Sequence, residues 1–159
     1  MSPPRLRYKT LSQPATLLLE SVVLLWAPFA IAQTNLGELL DAGAKKLSVD
    51  EFKEEIVQRV LVGPAPSGGG KLELMYATNG EIQGLGTYPP VLNSPQPFRG
   101  GWTTDASGRV CSAIQFAIGN PPVSLPTRCQ FWFKYDGQYF FADSDSERSA
   151  RVVPRTLKQ

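Results

Sequence analysis

The spacing of apolar residues changes along the chain from helical to alternating. Leu36, Leu39, Leu40 and Ala44 recur at helical spacing and predict a short amphipathic helix ending near Lys45 and Lys46. Ser48 and Glu51 stand three positions apart, as in a capping box where hydroxyl and carboxylate each satisfy a free amide. A second short helix is predicted there, with Phe52, Ile56 and Val57 on its buried stripe. Gly63, Pro64, Pro66 and the run Gly68 to Gly70 then break regular structure.

From Lys71 onward the pattern is that of a β-meander. Leu72 to Ala77 and Glu81 to Tyr88 flank Asn79 and Gly80, a pair suited to the positive backbone angles of a tight hairpin. Pro89, Pro90, Pro95 and Pro97 predict a loop. Trp102 to Asp105 and Arg109 to Ile118 flank the three-residue loop Ala106, Ser107 and Gly108, while Cys129 to Tyr135 and Gln138 to Asp143 flank Asp136 and Gly137. Val152 to Leu157 is an edge-strand candidate weakened by Pro154. The expected fold is therefore α+β, with short N-terminal helices packed on an antiparallel meander of about five or six strands. Residues 33–159 form one domain in this reading, helical over 33–62 and a meander over 71–157.

Alternation in the last hairpin divides its side chains between two faces. Cys129, Phe131, Phe133, Tyr135, Phe140 and Ala142 share one face, which is read as core. Gln130, Trp132, Lys134, Tyr139, Phe141 and Asp143 share the other, which is half aromatic. Either a helix covers this second face or its aromatics form an exposed binding surface. Cys111 alternates with Val110, Ile114 and Phe116, so pairing it with Cys129 calls for a bulge near Ser112.

The N-terminal segment reads as an export signal. Met1 to Gln13 carry Arg5, Arg7 and Lys9 and no acid, Ala15 to Ile31 are mainly apolar, and Ala30, Ile31 and Ala32 form a small-x-small site. Cleavage is expected after Ala32, giving a signal over 1–32. The stretch from Val22 to Ala32 falls short of the roughly 20 apolar residues needed to span a bilayer. An uncleaved anchor and an ordinary buried helix are the alternatives.

Composition alters this picture at three points. At 42% apolar and 19% charged the chain is globular. The formal charge of +2 disappears once Arg5, Arg7, Lys9 and Glu20 are removed, which argues against nucleic acid or an anionic membrane as partner. Cys111 and Cys129 are the only cysteines, and an even number in an exported chain favours a disulfide over a two-thiolate metal site.

The chain has no histidine, which removes Ser-His-Asp and Cys-His nucleophilic arrangements and the commonest metal ligand. Gly63 to Lys71 lacks the Gly-Lys-Ser/Thr ending of a phosphate loop. Asp143, Asp145 and Glu147 lack the ligand spacing of a calcium loop and read as a solvated turn. Neither a metal nor a cofactor is expected.

Tyr76 to Gly80, then Gly101, Trp102, Thr103, Gly108 to Cys111 and the later Cys129, resemble a family of small exported bacterial proteins of unknown function. The resemblance spans roughly Leu47 to Asp143 and implies the compartment and a helix followed by a β-meander, but no catalytic residue. The segment Tyr88 to Phe98 departs from the family's shorter form.

The functional expectation is a non-catalytic periplasmic or secreted module binding an unknown protein or envelope component, without nucleic acid or stable membrane insertion. Trp102, Trp132, Tyr139 and Phe141 are its candidate anchors, since aromatic side chains dominate interface energetics. Two alternatives stand beside it. One is a carboxylate-dependent hydrolase of an envelope glycan using Glu73, Glu81 or Asp105; the other is a structural envelope or secretion-associated protein.

Overall fold

The computed structural model describes residues 34–66, 69–88 and 92–159. The expected signal over 1–32 and its cleavage site lie outside the described residues.

Both predicted helices form. Helix α1 (Leu36–Asp41) is capped by Asn35, whose side chain accepts from the Glu38 amide, and it buries Leu36 and Leu39. Helix α2 (Val49–Glu55) begins with both halves of the Ser48–Glu51 capping box.

The described residues contain ten strands: β1 (Lys45–Lys46), β2 (Val60–Pro64), β3 (Lys71–Tyr76), β4 (Glu81–Tyr88), β5 (Leu92–Thr104), β6 (Val110–Phe116), β7 (Val123–Ser124), β8 (Arg128–Tyr135), β9 (Gln138–Ala142) and β10 (Val153–Leu157). Strands β2, β3, β4, β5, β6, β8, β9 and β10 pair antiparallel in that order, and β10 returns to β2. The fold is thus a closed eight-stranded antiparallel barrel, which corrects the expected α+β arrangement of helices on an open meander. Strand β1 is added to the outer half of β8, and β7 to the far end of β6.

Three local differences explain the correction. Val60 to Pro64 form β2, although this run spans the end of the part read as helical and the start of the predicted Gly63–Pro64 break. Val153 to Leu157 form the closing strand rather than an edge, and Pro154 is tolerated because it pairs only on the β9 side. Strand β5 runs through Pro95 and Pro97, again where only one neighbour, β4, pairs with it. A proline lacks one amide donor, so it fits where one side of the strand makes no ladder.

The hairpins at Ala106–Gly108 and Asp136–Gly137 form as predicted, with Gly108, Asp136 and Gly137 at positive φ. At Asn79–Gly80 the loop is one residue longer, because Tyr76 pairs with Ile82 and the Ala77 amide donates to the Glu81 carbonyl. Gly84 and Gly100 permit close strand approach, since a Cβ on either would collide with a carbonyl oxygen of the neighbouring strand.

Strands β8 and β9 are buried on both faces. Trp132, Tyr139 and Phe141 point into the barrel with Leu61, Leu74, Tyr76, Ile82 and Phe116. Phe131, Phe133, Phe140 and Ala142 point outward and are covered by Leu36 and Leu39 of α1 and by Val152. The face read as core is therefore the outer layer, and the half-aromatic face lies in the barrel interior. The Cys111–Cys129 disulfide joins directly opposed residues of β6 and β8. No bulge intervenes: Val110, Ser112, Ile114 and Phe116 face inward and Cys111 faces outward, in continuous register with β5. This bond fits an oxidising, non-cytoplasmic compartment. Among the described residues no helix is long and apolar enough to cross a membrane.

The β6–β8 ladder contains only Val110–Gln130, Cys111–Cys129 and Ser112–Arg128, so the disulfide fastens a short seam. Replacing both cysteines by serine is expected to cost about 3 kcal/mol, the loop-entropy value for a separation near 15 residues. A lower urea midpoint checks this, with the slope rising as the unfolded chain, no longer cross-linked, expands. Ser48→Ala should cost about 1 kcal/mol by removing the α2 cap.

Candidate functional site

The barrel interior has a sealed end and an open end. At the sealed end Phe52 of α2 lies over the strands, with ring centroids 5.3 Å from Tyr76, 5.6 Å from Trp102 and 5.3 Å from Trp132. Edge-on and tilted contacts of this kind stabilise beyond the area they bury. Glu55 fixes the end of α2 to the barrel, accepting from Lys134 Nζ at 2.7 Å and from the Tyr139 hydroxyl at 2.9 Å. These bonds hold the Glu55 carboxyl below its ordinary range, chiefly through Lys134.

At the opposite end β6 and β8 part company. Beyond Ser112–Arg128, β6 pairs with β7 instead, and the segment leading to β8 crosses the gap. A cavity of about 160 Å³ occupies this half of the lumen. Its walls are mainly apolar, from Leu72, Leu74, Ile82, Phe98, Phe116 and Phe141. Tyr76 and Phe141 belong to both the aromatic cluster and the cavity wall, so the cluster forms its floor. Pro126 and Arg128 line it at the exposed rim.

Polar groups are few and specific. Arg155, inward on β10, is 1% exposed; its Nη1 donates to the carbonyls of Pro64 at 2.7 Å and Pro154 at 2.8 Å. Its guanidinium carbon lies 4.8 Å from the Phe141 ring centroid. Gly63 makes room for this fork, because a Cβ there would come within 2.5 Å of Nη1. Burial pushes Arg155 down to about 10, leaving it charged at neutral pH, and pushes the Tyr76 phenol up to about 12. Gln130 is buried and donates to Asp143 at 3.3 Å.

The residues singled out from sequence fall into place differently. Trp132, Tyr139 and Phe141 are buried, so they present no external surface; Phe141 instead walls the cavity. Trp102 is half-buried under α2, its Nε1 donating to the Ala77 carbonyl at 2.8 Å. The carboxylates of the hydrolase alternative are each engaged elsewhere or turned outward. Glu73 pairs with Lys158 at 2.8 Å, Glu81 is exposed on the outer face, and Asp105 is held well below the carboxylate range by Ser107 and Arg109 within its own turn. No two of them converge on the cavity. Asp105 lies beside Cys111 and Cys129, but both sulfurs are bonded to each other and are not free thiolates. Asp145 pairs with Lys46, Glu147 accepts from Ser149 and Asp143 accepts from Gln130, as a solvated turn would.

Sequence reasoning missed Arg155. A lone arginine beside a proline in a weak C-terminal strand gives no local sign of burial. The available signal was parity: Val153, Arg155 and Leu157 alternate as one face of a strand.

Trp132→Ala and Phe141→Ala are each expected to cost about 3–5 kcal/mol as large buried truncations, measured by urea unfolding. Tyr76 supplies a pH dependence. Its folded value lies above its ordinary 10.0, so its contribution is complete below about pH 10 and is lost as pH rises toward 12. Tyr76→Phe should therefore flatten stability across that alkaline window; an unchanged alkaline slope would assign it to another group.

Compared with protein-family models, curated proteins and solved structures, the chain matches none, so the site is described by its own geometry alone.

Proposed function

We propose that this protein is a non-catalytic, periplasmic or secreted binding module that takes a small molecule with an apolar body into the open half of its barrel. The observation that carries this reading is the cavity of about 160 Å³ between the aromatic floor and the splayed β6–β8 end. Eight strands enclose an interior that side chains can just fill or that can hold one small ligand. Here the half beneath α2 is filled and the other half is not. A cavity of about 150 Å³ lined by similar side chains accommodates benzene, which sets the size of the occupant.

The outer surface supports a water-exposed barrel. Lys71, Glu81, Gln83, Arg99 and Gln115 are exposed on outward positions of β3 to β6. This is the reverse of a membrane barrel, whose outer band is apolar and whose interior is polar. The disulfide supports the extracytoplasmic placement.

Toluene is a suitable probe. It should produce saturable NMR shifts of the Leu72, Leu74 and Ile82 methyl groups, and Ile114→Trp, which fills the cavity from β6, should abolish them. Absence of saturation, or the same response in the filled variant, overturns the reading.

A further inference from the structure

Among the described residues Arg155 has no acidic partner. Among the described residues no acidic side chain lines the cavity, and Arg155 Nε is a buried donor with no partner. An unpaired buried donor is costly, and more so when the group is charged, so such groups are paired in most folded proteins. Nη1 has a structural task, since its bonds to Pro64 and Pro154 tie β10 to the end of β2. Two carbonyls account for that nitrogen. They account for neither the full positive charge nor Nε.

A second cation stands at the entrance. Arg128 is inward by parity with Gln130 and Trp132, lies at the exposed rim, and makes no ion pair among the described residues. The cavity thus has guanidinium groups at its mouth and in its wall, with Ser112 and Gln130 as further polar side chains in a mainly apolar lining. Tyr76, kept neutral by burial, adds a phenol to the wall. A neutral apolar guest would leave Nε unsatisfied. A bare inorganic anion would leave the apolar walls unfilled.

Resting on the lumen-binding reading above, we infer that the ligand is a small monocarboxylate with a body about the size of one aromatic ring. Its carboxylate accepts from Arg155 Nε while its apolar part fills the space among Leu74, Ile82, Phe98 and Phe116. Guanidinium is suited to this task, because its planar array of donors matches a carboxylate and it stays charged when buried. Arg128 raises the local concentration of the anion at the mouth. Specificity follows from burial: a site built around a desolvated donor discriminates against a ligand that cannot fill it.

Phenylacetate, phenylacetamide and toluene separate the possibilities, with the Arg155 Nε–H resonance as a direct readout on the native chain. Phenylacetate should move that resonance saturably and bind about ten- to hundredfold more tightly than the amide, the worth of a charge-assisted hydrogen bond. Arg155→Met should remove the preference for the acid while toluene still binds. If that variant does not fold, the native resonance decides alone. Equal affinity for acid and amide, or an unmoved Nε–H at saturating phenylacetate, overturns the carboxylate assignment while leaving lumen binding intact. So does inorganic phosphate moving the resonance where phenylacetate does not. Failure of toluene to bind the native chain removes the lumen reading itself.

Discussion

An antiparallel sheet that closes on itself must hold every seam, and three of the seams in this barrel are short. Strands β6 and β8 share three residue pairs, as do β9 and β10, and β10 and β2 share two. Backbone ladders of that length leave little margin, and the first and last of these are reinforced by side-chain chemistry. Cys111 and Cys129 bond across the first seam, and Arg155 reaches from β10 to the Pro64 carbonyl at the end of β2. Closure removes the exposed edges that an open sheet would present for association. The rest of the architecture depends on those two ties.

Closure also divides the interior. Helix α2 places Phe52 against Tyr76, Trp102 and Trp132, filling one half of the lumen with rings. The other half lies where β6 leaves β8 for β7, and side chains there do not reach far enough to fill it. The disulfide sits at the point of divergence. The bond that secures the seam thereby fixes where the cavity opens.

Electrostatics gives the cavity its character. Surface pairs such as Arg148–Asp41 and Lys158–Glu73 are solvent-screened and contribute little, about 0–1 kcal/mol each. Arg155 differs because it is buried and, among the described residues, no acid faces it. In such surroundings a charge either pairs or costs several kcal/mol. The same residue that braces β10 against β2 is the group most able to distinguish one occupant from another, so fold and recognition share a side chain.

The local signals of the sequence were legible: the capping box at Ser48 and Glu51, the glycine turns at Gly108 and Gly137, the alternation in β6, β8 and β9, and the two cysteines. Each depends on residues within a few positions of one another, where backbone preference and capping chemistry act. Which face of the last hairpin was interior was not legible, because both faces are apolar: one meets the lumen and the other meets α1. Strand β2 was hidden by the Gly-Pro-rich segment beside it, and β10 was discounted for Pro154. Both are stabilised by partners distant in the chain. The sequence by itself determined the two helices, the hairpins at Gly108 and Gly137 and the redox chemistry. Only the tertiary structure decided that the sheet closes, that α2 seals one end, and that Arg155 is buried beside an apolar cavity, because those outcomes depend on pairings between residues roughly ninety positions apart.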